Sequence, residues 1–237
     1  MDYLLDADIL TYRAAAVSEE LSQRGALQIL DTFITDILTV KIPAVIADVR
    51  CYQGYLTYSR ESNYRHAYAQ TAPYKGQRQS KRRPKHYEVL REYMVDHHGF
   101  IMVSGQEADD AIGIEAMKDP DNSCIVSIDK DFFNIPCWNF NYVTNRLKRI
   151  TPEQAARHFY TQILTGDVID NVKGVHGIGP VKAAALLAYT NDAMDVDTIN
   201  RHCWETVVEE MGREWALENA RLLWIRQKPD QIWEPPT

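Results

Sequence analysis

The chain has 237 residues, 45% of them apolar and 25% charged, with 11 Gly and 10 Pro. This composition excludes wholesale disorder and collagen-like or low-complexity architecture. No apolar run nears the ~18 residues of a membrane span. The start, Met1-Asp2-Tyr3-Leu4-Leu5-Asp6, lacks the basic region of a secretory leader. Cys51, Cys124, Cys137 and Cys203 form no Cys-x-x-Cys pair. The expectation is a reduced, cytoplasmic protein with no membrane partner.

In chain order, residues 3–6 read as a short buried strand ending on an acid. Residues 18–39 form an amphipathic stretch with Leu27, Leu30, Ile34, Ile37 and Leu38 at helical spacing. Strand-like sequence follows at 45–56. Residues 58–84 are polar, basic and weakly periodic, with no core face, and predict a loop or partly helical arch. A helix is predicted at 87–97 with Val89, Tyr93 and Met94 inward, then a strand at 100–103, a helix at 108–117 and a buried strand at 124–128. Another strand is expected at 139–144. Thr151-Pro152-Glu153 opens a helix with a Thr cap and Pro in its first turn. From there the pattern is wholly helical through Trp224. Strands alternating with helices, then helices alone, predict an α/β core over 1–150, with the arch at about 58–86, and a helical part over 151–237.

Charge is unevenly placed. The net charge is −7, yet residues 60–91 hold nine bases against two acids, leaving −14 on the rest. A compact basic segment on an acidic body is the footprint of phosphate binding, although a solvated basic face has the same composition. Tyr64, Tyr68, Tyr74 and Tyr87 interleave with these bases and offer stacking surfaces.

Four acid clusters recur: Asp6-Ala7-Asp8, Glu107-Ala108-Asp109-Asp110, Asp129-Lys130-Asp131 and Asp167-Val168-Ile169-Asp170. The first and third follow apolar strands, and carboxyl ends of strands are where α/β sheets bind ligands. Glu107 and Asp110, like Asp167 and Asp170, are three apart and are expected on one helix face. Singly, each reads as a turn or a helix cap. Together they point to hard divalent cations, two of which activate water and stabilise a leaving oxygen in phosphodiester hydrolysis. Gly174, Gly177 and Gly179, before the small-residue helix 183–188 with Lys182 beside it, suit a turn whose amides approach phosphate.

These residues carry a resemblance. The chain is similar, over roughly residues 3–190, to the flap endonuclease / 5′–3′ exonuclease family, which includes the 5′-nuclease domains of bacterial DNA polymerase I and small bacteriophage-encoded exonucleases. Leu4-Leu5-Asp6 resembles the first metal-ligand strand and Tyr74-Lys75-Gly76-Gln77-Arg78 the Tyr-Lys-x-x-Arg motif at the arch base. Glu107-Ala108-Asp109-Asp110 and Asp129-Lys130-Asp131 match two further motifs. Leu164-Thr165-Gly166-Asp167 through Asp170-Asn171, leading into 174–184, resembles the last ligand pair and a helix-hairpin-helix.

The resemblance implies a PIN/5′-nuclease-like fold: a mostly parallel central sheet flanked by helices, a basic arch and a helical C-terminal region. It implies hydrolysis near the 5′ ends of DNA, including flaps and RNA primers in replication, with two Mg²⁺ ions or Mn²⁺ in their place. Asp6, Glu107, Asp109, Asp110, Asp129 and Asp131 would hold or orient metal, and Asp167 and Asp170 would complete a weaker second site. Asp6, Asp109 and Asp131 with Lys75 and Arg78 form the implied catalytic group. Tyr74 would stack on a terminal base. Lys81, Arg82, Arg83, Lys85, Gly174, Gly177, Gly179 and Lys182 would hold DNA, with K⁺ an option at the hairpin. A monomer is implied.

One departure stands out. The family carries an acid after its second strand, whereas Tyr55-Leu56-Thr57-Tyr58-Ser59 has none; Asp48 lies too early to replace it, and Asp8, unusual for the family, is the remaining acid that could compensate. Two alternatives follow: a catalytically impaired DNA-junction binding protein, and a PIN-type metal-dependent RNase, for which a duplex-gripping hairpin is superfluous.

Overall fold

The computed structural model describes residues 1–46, 51–59, 61–78, 82–188, 190 and 194–237. It divides into two compact units, one formed by Met1–Asn63, Arg82–Phe132 and Cys137–Arg149, the other by Tyr64–Lys81, Phe133–Pro136 and Ile150–Thr237.

The first unit is an α/β sheet. Its strands are β1 (Asp2–Asp6), β2 (Cys51–Thr57), β3 (Ile101–Val103), β4 (Ser123–Val126), β5 (Trp138–Asn141) and β6 (Arg146–Arg149), in the spatial order β3-β2-β1-β4-β5-β6. All neighbours run parallel except β5 and β6. β1 and β4 are central and almost wholly buried because both of their faces are covered. Tyr3 and Leu5 share one core cluster with Cys124 and Val126, closed by Leu10, Leu30 and Leu90 from α1 (Ala7–Val17), α2 (Gln23–Asp36) and α3 (Tyr87–His98). Leu4 and Ile125 alternate to the other face, and α4 (Ala108–Ala116) packs on β1 and β2. α2 ends in a π turn at Ile37–Lys41.

Several expectations shift. The stretch 18–39 is not one helix: Ser18 ends α1, and α2 starts after the Ser22 cap, whose hydroxyl accepts from the Gly25 amide. β2 begins at Cys51 rather than 45, since 42–46 form a turn and 47–50 lie outside the described residues. In α3, Leu90, Met94, Tyr87 and Arg91 face the core, while Val89 and Tyr93 are half-buried flank positions. The strand expected at 139–144 stops at Asn141, whose carboxamide accepts from the Val143 and Thr144 amides and turns the chain into β6.

The second unit contains α5 (Pro152–Thr165), a two-residue ladder of β7 (Gly166–Asp167) with β8 (Val172–Lys173), α6 (Pro180–Leu186), α7 (Val196–Met211) and α8 (Arg213–Leu223). Thr151 caps α5 as expected, accepting from the Gln154 amide. The wholly helical expectation fails at β7–β8. Gly166 has φ +67, and a Cβ there would lie 2.2 Å from the Gly174 nitrogen, so the chain reverses tightly instead of continuing as helix. Tyr160, Trp204, Trp233 and Val207 form the core with Phe159, whose ring is 5.0 Å from that of Trp224 and 5.6 Å from that of Trp233. Trp204 and Trp233 are buried, whereas Trp215 and Trp224 are half-buried.

The polar segment after β2 is not a bare loop. Asn63, Arg65 and Tyr74 are buried, and two short 3-10 turns, Tyr64–Ala67 and Gly76–Arg78, shape it. Within the second unit Arg65 donates to the Leu222 and Trp224 carbonyls at 3.0 and 2.6 Å. Arg65 reaches the core here because distant carbonyls satisfy its guanidinium.

Candidate metal centre and nucleic-acid interface

In the first unit three of the acid clusters lie at strand or helix ends. Asp6 ends β1 and caps α1, accepting from the Ile9 amide at 3.2 Å. It is 2% exposed. Its other oxygen accepts from the Ser127 hydroxyl at 2.7 Å, and that hydroxyl in turn accepts from the Asp129 amide at 3.0 Å. Ser127 therefore ties the acidic ends of β1 and β4 together. Asp129 accepts from the Asp131 amide at 2.9 Å, which folds the Asp129–Asp131 turn.

Asp8 faces the end of β2, accepting from the Thr57 amide at 3.1 and 3.3 Å through its two oxygens. The Thr57 hydroxyl accepts from the Ala108 amide at the start of α4. Arg91 donates to the Thr57 and Tyr58 carbonyls. Glu107 caps α4, and its amide donates to Asp110 at 3.1 Å. Glu107 and Asp110 are buried, while Asp109, Asp129 and Asp131 are half-buried.

Burial pushes the Asp6 carboxyl up to about 7; the Ser127 hydrogen bond opposes this, and the negative charges of Asp8 and Asp129 add to it. The Asp8 carboxyl is also raised, first by burial and further by Glu107, while Thr57 and Arg91 pull it down. These charges act on one another, so Asp6, Asp8, Glu107 and Asp129 share one electrostatic neighbourhood. Among the described residues no three Asp, Glu, His or Cys side chains close as a ready cage. Hard oxygen donors at strand ends, one of them held near neutrality by burial and repulsion, nevertheless suit Mg²⁺, which retains several waters and takes only one or two direct carboxylates.

In the second unit Asp167 and Asp170 occupy the turn between β7 and β8, not one helix face. Asp167 accepts from the Ile169 and Asp170 amides at 2.6 and 3.2 Å, an Asx turn. Asp170 accepts from the Tyr74 hydroxyl at 2.9 Å and lies 3.4 Å from the Lys75 ammonium. Tyr74 is 3% exposed, with its ring 5.7 Å from that of His66. Its face is thus occupied by protein, where the sequence suggested a free stacking surface. In the glycine turn Gly177 has φ +77, which explains its glycine, while Gly179 caps α6 with Pro180 following. Ile178 plugs the turn into the core, and His176 and Lys182 are exposed.

Of the expected basic contacts, Lys81 and the Arg78 side chain lie outside the described residues. Arg82 is 3.4 Å from Glu19, Arg83 pairs with Glu88, and the Lys85 amide donates to Glu19 at 2.7 Å. The basic run thus folds back on local acids in the first unit. Sequence reading missed Ser127 and Thr57. Their signal was weak, a small polar residue at the end of an apolar strand.

No family model matches the chain, and no curated protein matches it. Solved structures do. The 5′-exonuclease of bacteriophage T5 with bound zinc has a TM-score of 0.62 at 17% identity, over 94% of this chain and 89% of that one. A T5 flap endonuclease in a pseudo-enzyme–product complex with DNA and metal ions gives 0.58 at 16%, over 94% and 88%. The T5 protein co-crystallised with metal ions gives 0.61 at 16%, over 94% and 88%. The chain has the fold of the T5 5′-exonuclease: a mostly parallel six-stranded sheet flanked by helices.

Proposed function

We propose that this protein is a divalent-metal-dependent 5′ nuclease acting on DNA near 5′ ends and flaps. The observation that carries the reading is the Asp6–Ser127–Asp129 link, which sets two acidic strand ends side by side with Asp8 and Glu107 in the same field. Asp6, Glu107, Asp109, Asp110, Asp129 and Asp131 would hold or orient Mg²⁺, with Asp8 supplying the carboxylate that the end of β2 lacks. Asp167 and Asp170 would serve a second, weaker ion. Bound metal would lower the pKa of a water and neutralise charge on the phosphodiester oxygens. The chain's own residues do the rest. Ser127 donates to Asp6 and accepts from the Asp129 amide, and so holds Asp6 in place, Lys75 places a cation for the scissile phosphate, and the 174–179 turn with Lys182 holds duplex backbone without reading sequence. The likeness to T5 nucleases, one crystallised with DNA, supports this reading.

The test is a 5′-labelled flap duplex incubated with Mg²⁺ and with EDTA. Metal-dependent products at or near the junction are expected. Tight binding without products in Mg²⁺ or Mn²⁺ would instead identify a junction-binding protein, and preferential cleavage of single-stranded RNA a PIN-type RNase. Replication as the setting, a cytoplasmic monomer and K⁺ at the hairpin belong to the same proposal. Among the described residues no helix is long and apolar enough to cross a membrane.

A further inference from the structure

Helix α8 lies far in sequence from Lys75, yet two of its consecutive residues grip the two segments that meet at the Lys75–Asp170 pair. Glu218 accepts from the Gln70 and Thr71 amides at 2.8 and 2.7 Å through one oxygen, and from the Thr71 hydroxyl at 2.6 Å through the other. Asn219, 2% exposed, donates to the Ile163 carbonyl at 3.1 Å and the Lys173 carbonyl at 2.8 Å. These carbonyls flank the β7–β8 turn that carries Asp170. Two adjacent residues of one helix thus hold the segments that carry the two halves of the pair.

Between the grip on Thr71 and Lys75 lie three residues, one of them Pro73, whose ring fixes φ. Lys75 has φ +53, a left-handed conformation that costs a non-glycine residue of the order of 1 kcal/mol. It persists only where surroundings over-determine it. The surroundings here are explicit: the Lys75 amide donates to the Asp170 carbonyl at 2.9 Å, and Asn171, itself at φ +61, donates to the Pro73 carbonyl at 2.9 Å. Gln77 donates to Asn171 at 3.1 Å. The upstream end of this strained segment is fixed by Glu218, and Arg221 stacks over Tyr68 at 5.1 Å just before it.

We propose that Glu218 is a positioning residue for Lys75: by clamping residues 70–71 it holds the 73–77 segment in the strained shape that aims the Lys75 ammonium. The proposal rests on the nuclease reading, in which Lys75 meets the scissile phosphate. Glu218 touches no reacting atom and acts through the backbone.

The test compares Glu218→Ala with Glu218→Gln, whose carbonyl still accepts the two amides, and with Glu209→Gln on the exposed face of α7 as control. On the flap substrate Glu218→Ala is expected to lose about 10- to 100-fold in kcat, the cost of a catalytic group displaced by up to ~1 Å. KM should stay within about two-fold, Glu218→Gln should recover most of kcat, and Glu209→Gln should match wild type. Amide exchange at Lys75, read without DNA, should speed up in Glu218→Ala alone. Unchanged kcat, a loss confined to KM, no recovery by Gln, or unchanged Lys75 exchange would overturn the proposal. If wild type cleaves nothing, the nuclease reading falls and takes with it the effect of Glu218 on cleavage. Exchange at Lys75 then still decides whether the clamp exists.

Discussion

The acids of the two units are held in opposite ways. In the first unit Asp6 lies buried beside Asp8 and Asp129, and its charged form is disfavoured. In the second, Asp170 has the Lys75 ammonium at 3.4 Å and the Tyr74 hydroxyl at 2.9 Å. The first arrangement stores repulsion that a divalent cation relieves. In the second, a cation must compete with a lysine already in place. Acid clusters alike in sequence thus differ in the charge that the fold sets beside them, and would differ in their affinity for a cation accordingly.

Four expectations sharpen or break this comparison. The largest concerns cleavage: Asp131→Ala should abolish it, by about 10³-fold or more, while flap binding in Ca²⁺ survives; retained Mg²⁺-dependent cleavage would remove Asp131 from the centre. The second concerns pH. The folded Asp6 carboxyl, at about 7, binds its proton more tightly than in the unfolded chain, where its value is 3.8. Its contribution is therefore fully present below about pH 4 and is lost as pH rises through 7. Metal-free protein should lose on the order of a few kcal/mol across that window, Asp6→Asn should flatten the loss, and Mg²⁺ should oppose it, all readable from urea midpoints.

The third concerns the compensated site. Asp170→Ala should cost about 1–2 kcal/mol of stability, because it removes a partner of Tyr74 and Lys75 rather than a repulsion. A gain in stability would contradict the pairing. The smallest concerns the hairpin: Lys182→Ala should weaken duplex binding alike for all sequences and reduce the salt slope of log K by about 1. An unchanged slope would place Lys182 away from phosphate.

Much of the first unit was legible in the sequence because its signals are local. The apolar runs of β1 and β4 end on acids, and Thr151-Pro152 announces α5. α1 was missed because Asp6 serves at once as strand end and helix cap, leaving no punctuation, and because Ala14 and Ala15 give a faint apolar face. The β7–β8 reversal was hidden by helical composition on either side and shows only in the close approach of Gly166 to Gly174. At the site the acids were visible as clusters, but which of them are strained was not. That depends on Ser127 and Thr57, brought there by the sheet register, and on Arg91 from α3. Glu218 was illegible for the same reason, acting on residues 147 positions away.

The acidic ends of β1 and β4 are proposed to hold a divalent cation. This is tested most directly by titrating Mn²⁺ into the protein at pH 7 by calorimetry in two buffers of different ionisation enthalpy. Saturable binding is expected, with release of a measurable fraction of a proton, since burial and the charges of Asp8 and Asp129 raise the Asp6 carboxyl. Both the binding and the proton should be lost in Asp6→Asn. Binding that is absent in the wild type, or that persists unchanged in the variant, would contradict the proposal.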